Sequence, residues 1–178
     1  MAVVSALPPY GVLDAQSVQC IAQASVRYQV PELLLHAIIR QEGGRTGRCV
    51  RNTNGTYDCG LAQINTSWAS YFSRMGVSYR EIASNACVNI YTSAYILRYN
   101  YDLKQNWFYA IMAYNIGPSS WTPRRYSIGW KYADHVVKYW WQFQNWVSAH
   151  SAQEQKKEQP FSFPAPPTSG TQTASAAP

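Results

Sequence analysis

Two carboxylates, Glu42 and Asp58, stand sixteen positions apart in the stretch EGGRTGRCVRNTNGTYDCGLAQIN. Glu42 follows Ile38 by four residues, Leu35 by seven and Leu34 by eight. On a 3.6-residue helix these spacings put all four on one face. The acid therefore projects beside an apolar seam, at a helix C-terminus where the macrodipole disfavours negative charge. Desolvation and dipole both raise its pKa. A carboxylic acid that stays protonated near neutral pH is what general-acid cleavage of a glycosidic bond requires. Asp58 lies on the far arm of a turn at Asn54-Gly55, and a hairpin folding back over the helix end would set it across a cleft from Glu42. Paired carboxylates about 5 Å apart for retention, or roughly 6.5–9.5 Å apart for inversion, are common in glycosidases. Each acid also has a plainer role. Glu42 could pair at the surface with Arg40, Arg45 or Arg48, and Asp58 could bond its own backbone in a turn.

These side chains need elements to hold them. Asp14 can cap a first helix with Val18, Ile21, Ala22 and Ser25 on one face. Pro31 suits the first position of a second helix, PELLLHAIIRQE, which Gly43-Gly44 ends. After the hairpin, an extended GLAQIN would place Gln63 and Asn65 on one side and Ala62 and Ile64 on the other. Three further helical patterns follow: ASNACVNIYTSAYILRYNY, with Val88, Tyr91, Tyr95 and Leu97-Arg98 near helical spacing; NWFYAIMAYNIG, closed by Gly117-Pro118; and the aromatic GWKYADHVVKYWWQFQNWV. Beyond Val147 there is no Val, Ile, Leu, Met, Trp or Tyr, so the end of the chain cannot build a core. The expected layout is an N-terminal extension over 1–9, one domain over 10–148, and a disordered Pro/Ser/Ala-rich tail over 149–178.

Composition narrows the classes. Of the 178 residues 47% are hydrophobic, enough for a real core. Charged residues make up only 13%, against roughly 25% for an average soluble domain. The surface must rely on Asn, Gln, Ser, Thr and Tyr, which suit a neutral polar polymer. The net charge of +6 favours an acidic partner, but the arginines are scattered and no basic run reaches five, so nucleic acid is not expected. Four cysteines allow three pairings. Cys49 and Cys59 flank the turn and can face each other across two strands, and Cys20 and Cys87 would then join two helices. Such a set points to an oxidising compartment; four unpaired core thiols is the alternative. The cysteines make no zinc pattern with His36, His135 or His150, so neither metal nor cofactor is expected. No apolar run reaches membrane-spanning length. The first residues are too short and uncharged for an intact signal peptide, so export would imply one already removed. His36 should face a neighbouring element or solvent. Most tryptophans should be core, with Trp68 and Trp121 the better candidates for stacking on sugar.

NTNGTYDCGLAQIN resembles the hairpin signature of the lysozyme superfamily, N-x-[DN]-G-[ST]-x-D-x-G-x-x-Q-I-N. LLHAIIRQEGG is similar to the catalytic-glutamate motif of the transglycosylase SLT family, and AIMAYNIG resembles that family's A-Y-N-x-G motif. The three blocks look like those of the small specialised lytic transglycosylases that accompany type III and type IV secretion, conjugation and pilus systems. The resemblance implies a lysozyme-like α+β fold, mostly α, with a small β-hairpin and a cleft between helical lobes. It implies that Glu42 acts as acid and then base, that Gly60, Gln63 and Asn65 shape the cleft floor and bond sugar acetamido groups, and that Tyr114 and Asn115 sit close to Glu42. The Tyr114 hydroxyl would contact the Glu42 carboxyl or the substrate. Read alone, Tyr114 and Asn115 are equally a core tyrosine and a helix end. The implied substrate is peptidoglycan, cleaved between N-acetylmuramic acid and N-acetylglucosamine to a 1,6-anhydro product by a periplasmic monomer. The tail segment FSFPAPP could dock on a secretion or pilus component, or serve only as a flexible spacer. Hydrolysis of the lysozyme type, using Asp58, and non-catalytic binding of the same polymer are the alternatives. Three positions depart from the pattern: Gly43 where many members have a Ser that orients the Glu, Ala62 where a larger residue is frequent, and Ile116.

Overall fold

The computed structural model describes residues 13–157, so the expected 1–9 extension and the end of the tail lie outside the described residues. The described residues form seven α-helices and one small sheet: α1 (Ala15–Tyr28), α2 (Glu32–Glu42), β1 (Cys49–Arg51), β2 (Tyr57–Cys59), β3 (Ile64–Asn65), a 3-10 turn (Thr66–Trp68), α3 (Ala69–Arg74), α4 (Tyr79–Ser84), α5 (Ala86–Lys104), α6 (Trp107–Ile116) and α7 (Pro123–Lys157).

Local chemistry sets these boundaries. The Asp14 side chain accepts from Ser17 N and starts α1. Ser78 and Glu81 form a reciprocal capping box on α4. Asn85 and Asn106 cap α5 and α6. α7 begins six residues before the Gly129 expected from sequence, with Pro123 in its first turn, and it runs past residue 148 to Lys157.

α2 is the axis of the molecule. Its residues Leu34 to Ile39 are all buried, including His36. A helix apolar on nearly every side belongs in the interior, and α2 packs between α1 and α7. α5 lies across α1 and α6, and the disulfide Cys20–Cys87 ties α1 to α5. The buried face of α1 is Ser17, Cys20, Ile21 and Ala24; of the expected Val18/Ile21/Ala22/Ser25 stripe Ile21 is buried and the other three are half-buried. In α5 the buried positions are Asn89, Ile90, Thr92, Ser93, Ala94, Ile96, Leu97 and Asn100, while Tyr91 and Tyr95 are only partly covered.

The hairpin has a third strand. β1 and β2 pair antiparallel with Cys49 opposite Cys59, a pair joined by the second disulfide, and β3 pairs on β2 with Asn65 opposite Asp58. The turn is not the two-residue type that Asn-Gly favours, because that type needs positive φ at both residues. Here Gly55 has φ +84° and Asn54 does not share it. Gly55 N donates to Asn52 O, and the Asn54 carboxamide oxygen accepts from Thr56 N at 3.1 Å. GLAQ is also not extended: it is a turn with Gln63 at φ +47°. Ala62 and Ile64 are nonetheless buried, and Gln63 and Asn65 face outward to the cleft.

One buried side chain fastens this sheet to the helices. The Asn89 amide donates to Cys59 O at 3.0 Å and Ile82 O at 2.9 Å, and its oxygen accepts from Ala62 N at 2.8 Å. Three backbone groups that would otherwise be unpaired in the interior are satisfied at once.

Candidate active site

A cleft of about 560 Å³ opens between the sheet and the α6–α7 corner. Glu42, Asp58, Gln63, Asn65, Tyr114 and Asn115 all line it. Gly60 does not. It sits behind the wall at φ +78°, packed so closely on Asn89 that a Cβ there would lie 2.1 Å from the amide nitrogen. Its role is to let the sheet approach α5, and its carbonyl accepts from the Gln63 side chain at 2.9 Å.

The two glycines after Glu42 have different reasons to be there. Gly43 ends α2 in the left-handed region at φ +59°, where a side chain would be strained although the space is open. Gly44 is a close approach: a Cβ would lie 2.0 Å from Gly60 O and 2.7 Å from the Gln63 amide nitrogen. Together they bring the 60–63 turn against the end of α2, which sets Gln63 on the same cleft as Glu42.

Glu42 is partly buried on the cleft wall, and its Oε1 accepts a hydrogen bond from the Tyr132 hydroxyl. Burial pushes its carboxyl up from 4.5 to about 7; the Tyr132 bond pulls it down, and the charge of Asp58 adds to the rise. Neither of the plainer roles matches this geometry. The Glu42 carboxyl meets a tyrosine from α7, and Asp58 is a strand residue rather than a turn residue. The Asp58 carboxylate is held from both sides: Asn52 donates to Oδ2 at 2.9 Å and Asn65 donates to Oδ1 at 2.6 Å.

Both amide hydrogens of Asn65 are engaged. Its amide nitrogen also donates to Thr56 at 3.0 Å, and its oxygen accepts from Ser67 N at 2.9 Å. It therefore positions Asp58 rather than offering a free amide to a sugar. Gln63 and the exposed Asn115 carry the amides with capacity left. The Tyr114 hydroxyl lies 2.9 Å from Ala62 O and 3.0 Å from Ser93 Oγ, not on Glu42. The phenol has one proton and the carbonyl can only accept, so Tyr114 anchors the buried Ala62 turn. Burial and the Glu42 charge hold that hydroxyl far above the ordinary phenol range. The direct phenol contact expected of Tyr114 is made by Tyr132.

Trp68 lines the cleft, and Trp121 borders it through a hydrogen bond from Nε1 to Gly117 O at 2.8 Å. His36 faces α7, edge-on to Phe143 at 6.2 Å. Tyr132, Asn52, Ser93 and Asn89 were not singled out from sequence. Tyr132 had one local signal, its place in the inward face of α7 with Ala133 and Val136.

A helical body that carries a carboxyl group raised by burial to about 7, lining one polar cleft with a second carboxylate held on a three-stranded hairpin, defines a glycan-cleaving protein with the lysozyme architecture. The model of the transglycosylase SLT domain matches residues 19–133, which span every cleft residue named above. The chain belongs to this family and is a lytic transglycosylase. It is 30% identical over 142 residues to the invasion protein IagB of Salmonella typhimurium, covering 78% of this chain and 82% of that protein. It is 31% identical over 120 residues to protein IpgF of Shigella flexneri, covering 67% and 77%. Similarity to X polypeptide of Escherichia coli is 29% over 103 residues, covering 57% and 61%. The family acts on peptidoglycan, and among the described residues no helix is long and apolar enough to cross a membrane.

Proposed function

We propose that the protein cleaves the β-1,4 bond between N-acetylmuramic acid and N-acetylglucosamine in peptidoglycan and leaves a 1,6-anhydro end. Glu42, protonated, gives its proton to the bridging oxygen. The C1–O bond breaks through an oxocarbenium-like state, assisted by the substrate's own acetamido oxygen. The Glu42 carboxylate then takes the proton of the C6 hydroxyl as that oxygen bonds to C1. The acid is regenerated and no water is consumed. The single observation that supports this assignment is the Glu42 carboxyl set into the wall of the cleft against the Tyr132 hydroxyl, with Asp58 lining the same cleft; burial raises it to about 7, suited to donating and then accepting a proton at neutral pH. Tyr132 holds the group in place, doing the orienting work that a Ser at position 43 does in many relatives. Asp58, fixed by Asn52 and Asn65, supplies negative charge opposite the forming cation.

The same fixed Asp58 favours a second reading, hydrolysis with water in place of the C6 hydroxyl. Mass spectrometry of digested peptidoglycan separates them: anhydro-ended fragments support the transglycosylase, reducing ends support the hydrolase, and no fragments would mean binding without cleavage. We place the activity in the periplasm, where disulfides Cys20–Cys87 and Cys49–Cys59 form, as a monomer that opens the wall for a secretion, conjugation or pilus apparatus. Support for that setting is the similarity to a protein named for invasion. The chain beyond α7, including FSFPAPP, is the proposed contact with the apparatus. Deleting residues 158–178 should leave activity on purified peptidoglycan intact and abolish assembly-linked function in cells; equal losses in both assays would remove the tail from this role.

A further inference from the structure

The charges around the cleft are unevenly placed. Glu42 and Asp58 stand on the side of α2 and the sheet. On the α6–α7 side the lining residues include one cation, Arg125. Arg125 lies in the first turn of α7, beside Arg124, and that turn contains no acid. A helix N-terminus is the positive end of the macrodipole, so two cations there work against helix stability. Their presence calls for a reason outside the helix.

One part of the guanidinium is already used. Nη2 donates to the carbonyl of Ile116, the last residue of α6, and this fixes the group at the cleft edge. A guanidinium has five N–H donors in a planar fork suited to a carboxylate. Among the described residues the ion pairs are Arg98–Asp102 and Lys138–Asp134, neither involving Arg125. Close by, the Lys104 ammonium lies 4.3 Å over the ring of Trp121, whose Nε1 bonds Gly117 O on the cleft rim. This corner is positive and contiguous with the cleft, while the opposite wall carries both acids.

We infer that Arg125 forms a carboxylate subsite at the α6–α7 end of the cleft, holding a carboxylate carried by the glycan substrate. The inference rests on the peptidoglycan reading above. Two sources share this chemistry: the lactyl carboxylate of a muramic acid that has lost its peptide, and a carboxylate of an attached stem peptide. Asp58 repels either at the sheet side, and Arg125 attracts either at the other.

Binding is measured by calorimetry with full-length Glu42→Gln protein, which holds substrate without turning it over. The ligands are a neutral chito-oligosaccharide, peptide-free muramic glycan oligomers, and peptide-bearing oligomers. Adding Arg125→Gln should lower the ratio of anionic to neutral affinity roughly tenfold or more, as loss of a charge-assisted bond does. A fall confined to the peptide-free oligomers assigns the lactyl carboxylate, and a fall confined to the peptide-bearing ones assigns the stem. An unchanged ratio overturns the inference, including the case where all affinities drop together because Arg125 only caps α6. Failure of Glu42→Gln to bind any of the three overturns the peptidoglycan reading beneath it. Should Arg125→Gln not fold, added salt on Glu42→Gln alone decides: selective weakening of the anionic ligands supports the subsite, and parallel curves sink it.

Discussion

Replacing Glu42 by Gln should make the protein more stable at alkaline pH. The folded carboxyl sits at about 7 against an ordinary 4.5. Because the folded value is raised, the contribution of this group to stability is fully present below pH 4.5 and is lost as pH rises through 7. The gap of about 2.5, at 1.36 kcal/mol per pH unit, corresponds to a penalty of ~3 kcal/mol in the ionised state. Glutamine is neutral at every pH and keeps an oxygen to accept from Tyr132, so the variant escapes this penalty. Thermal melts of both proteins from pH 4 to 9 should coincide at the acid end and separate above pH 5. At roughly 2–4 °C per kcal/mol for a chain of this size, the separation should reach about 6–12 °C by pH 8. A constant difference across the range, or a variant less stable at pH 8, would refute the buried, protonated carboxyl.

Two substitutions should move Glu42 in opposite directions. Tyr132→Phe removes the bond that lowers its pKa, so the alkaline limb of the activity profile should move up while turnover falls roughly tenfold or more. Asp58→Asn removes the charge that raises it, so the limb should move down; identical limbs in both variants would disconnect these residues from Glu42. Burial lowers the His36 imidazole from 6.5 to about 4, so folding stability should decline as pH falls below 6.5 towards 4, and denaturant titrations of His36→Leu should lack that slope. Gly44→Ala forces a Cβ against Gly60 O and the Gln63 amide, and should cost ~1–3 kcal/mol by chemical denaturation with a loss of activity beyond what stability explains.

The residues legible in the sequence are those whose signals are local. Glu42 was readable from the Leu34/Leu35/Ile38 spacing and the Gly43-Gly44 stop, and the hairpin from Asn54-Gly55. The disulfides Cys49–Cys59 and Cys20–Cys87 were one of three pairings open to the four cysteines, suggested by where they fall relative to turn and helices. Tyr132 was not readable, because it meets Glu42 across ninety positions of sequence and nothing near either residue records that contact. Asn89 was missed for the same reason: a polar residue within a helical pattern gives no hint that it satisfies Cys59, Ala62 and Ile82. Gln63 and Asn65 reached the cleft for a different cause than alternation in a strand, since the positive φ of Gln63 makes the turn. The early part of α7 was hidden by Gly129 in its interior. There the glycine serves packing, since a Cβ would lie 2.6 Å from Ile116 Cδ1.

In the proposed reaction Glu42 alone carries proton transfer at both stages, without water. Its most direct test is mass spectrometry of purified peptidoglycan digested in heavy-oxygen water. The native protein should yield 1,6-anhydro muropeptides without label, and Glu42→Gln should yield none. Labelled reducing ends from the native protein, or anhydro products undiminished in the Glu42→Gln variant, would contradict it.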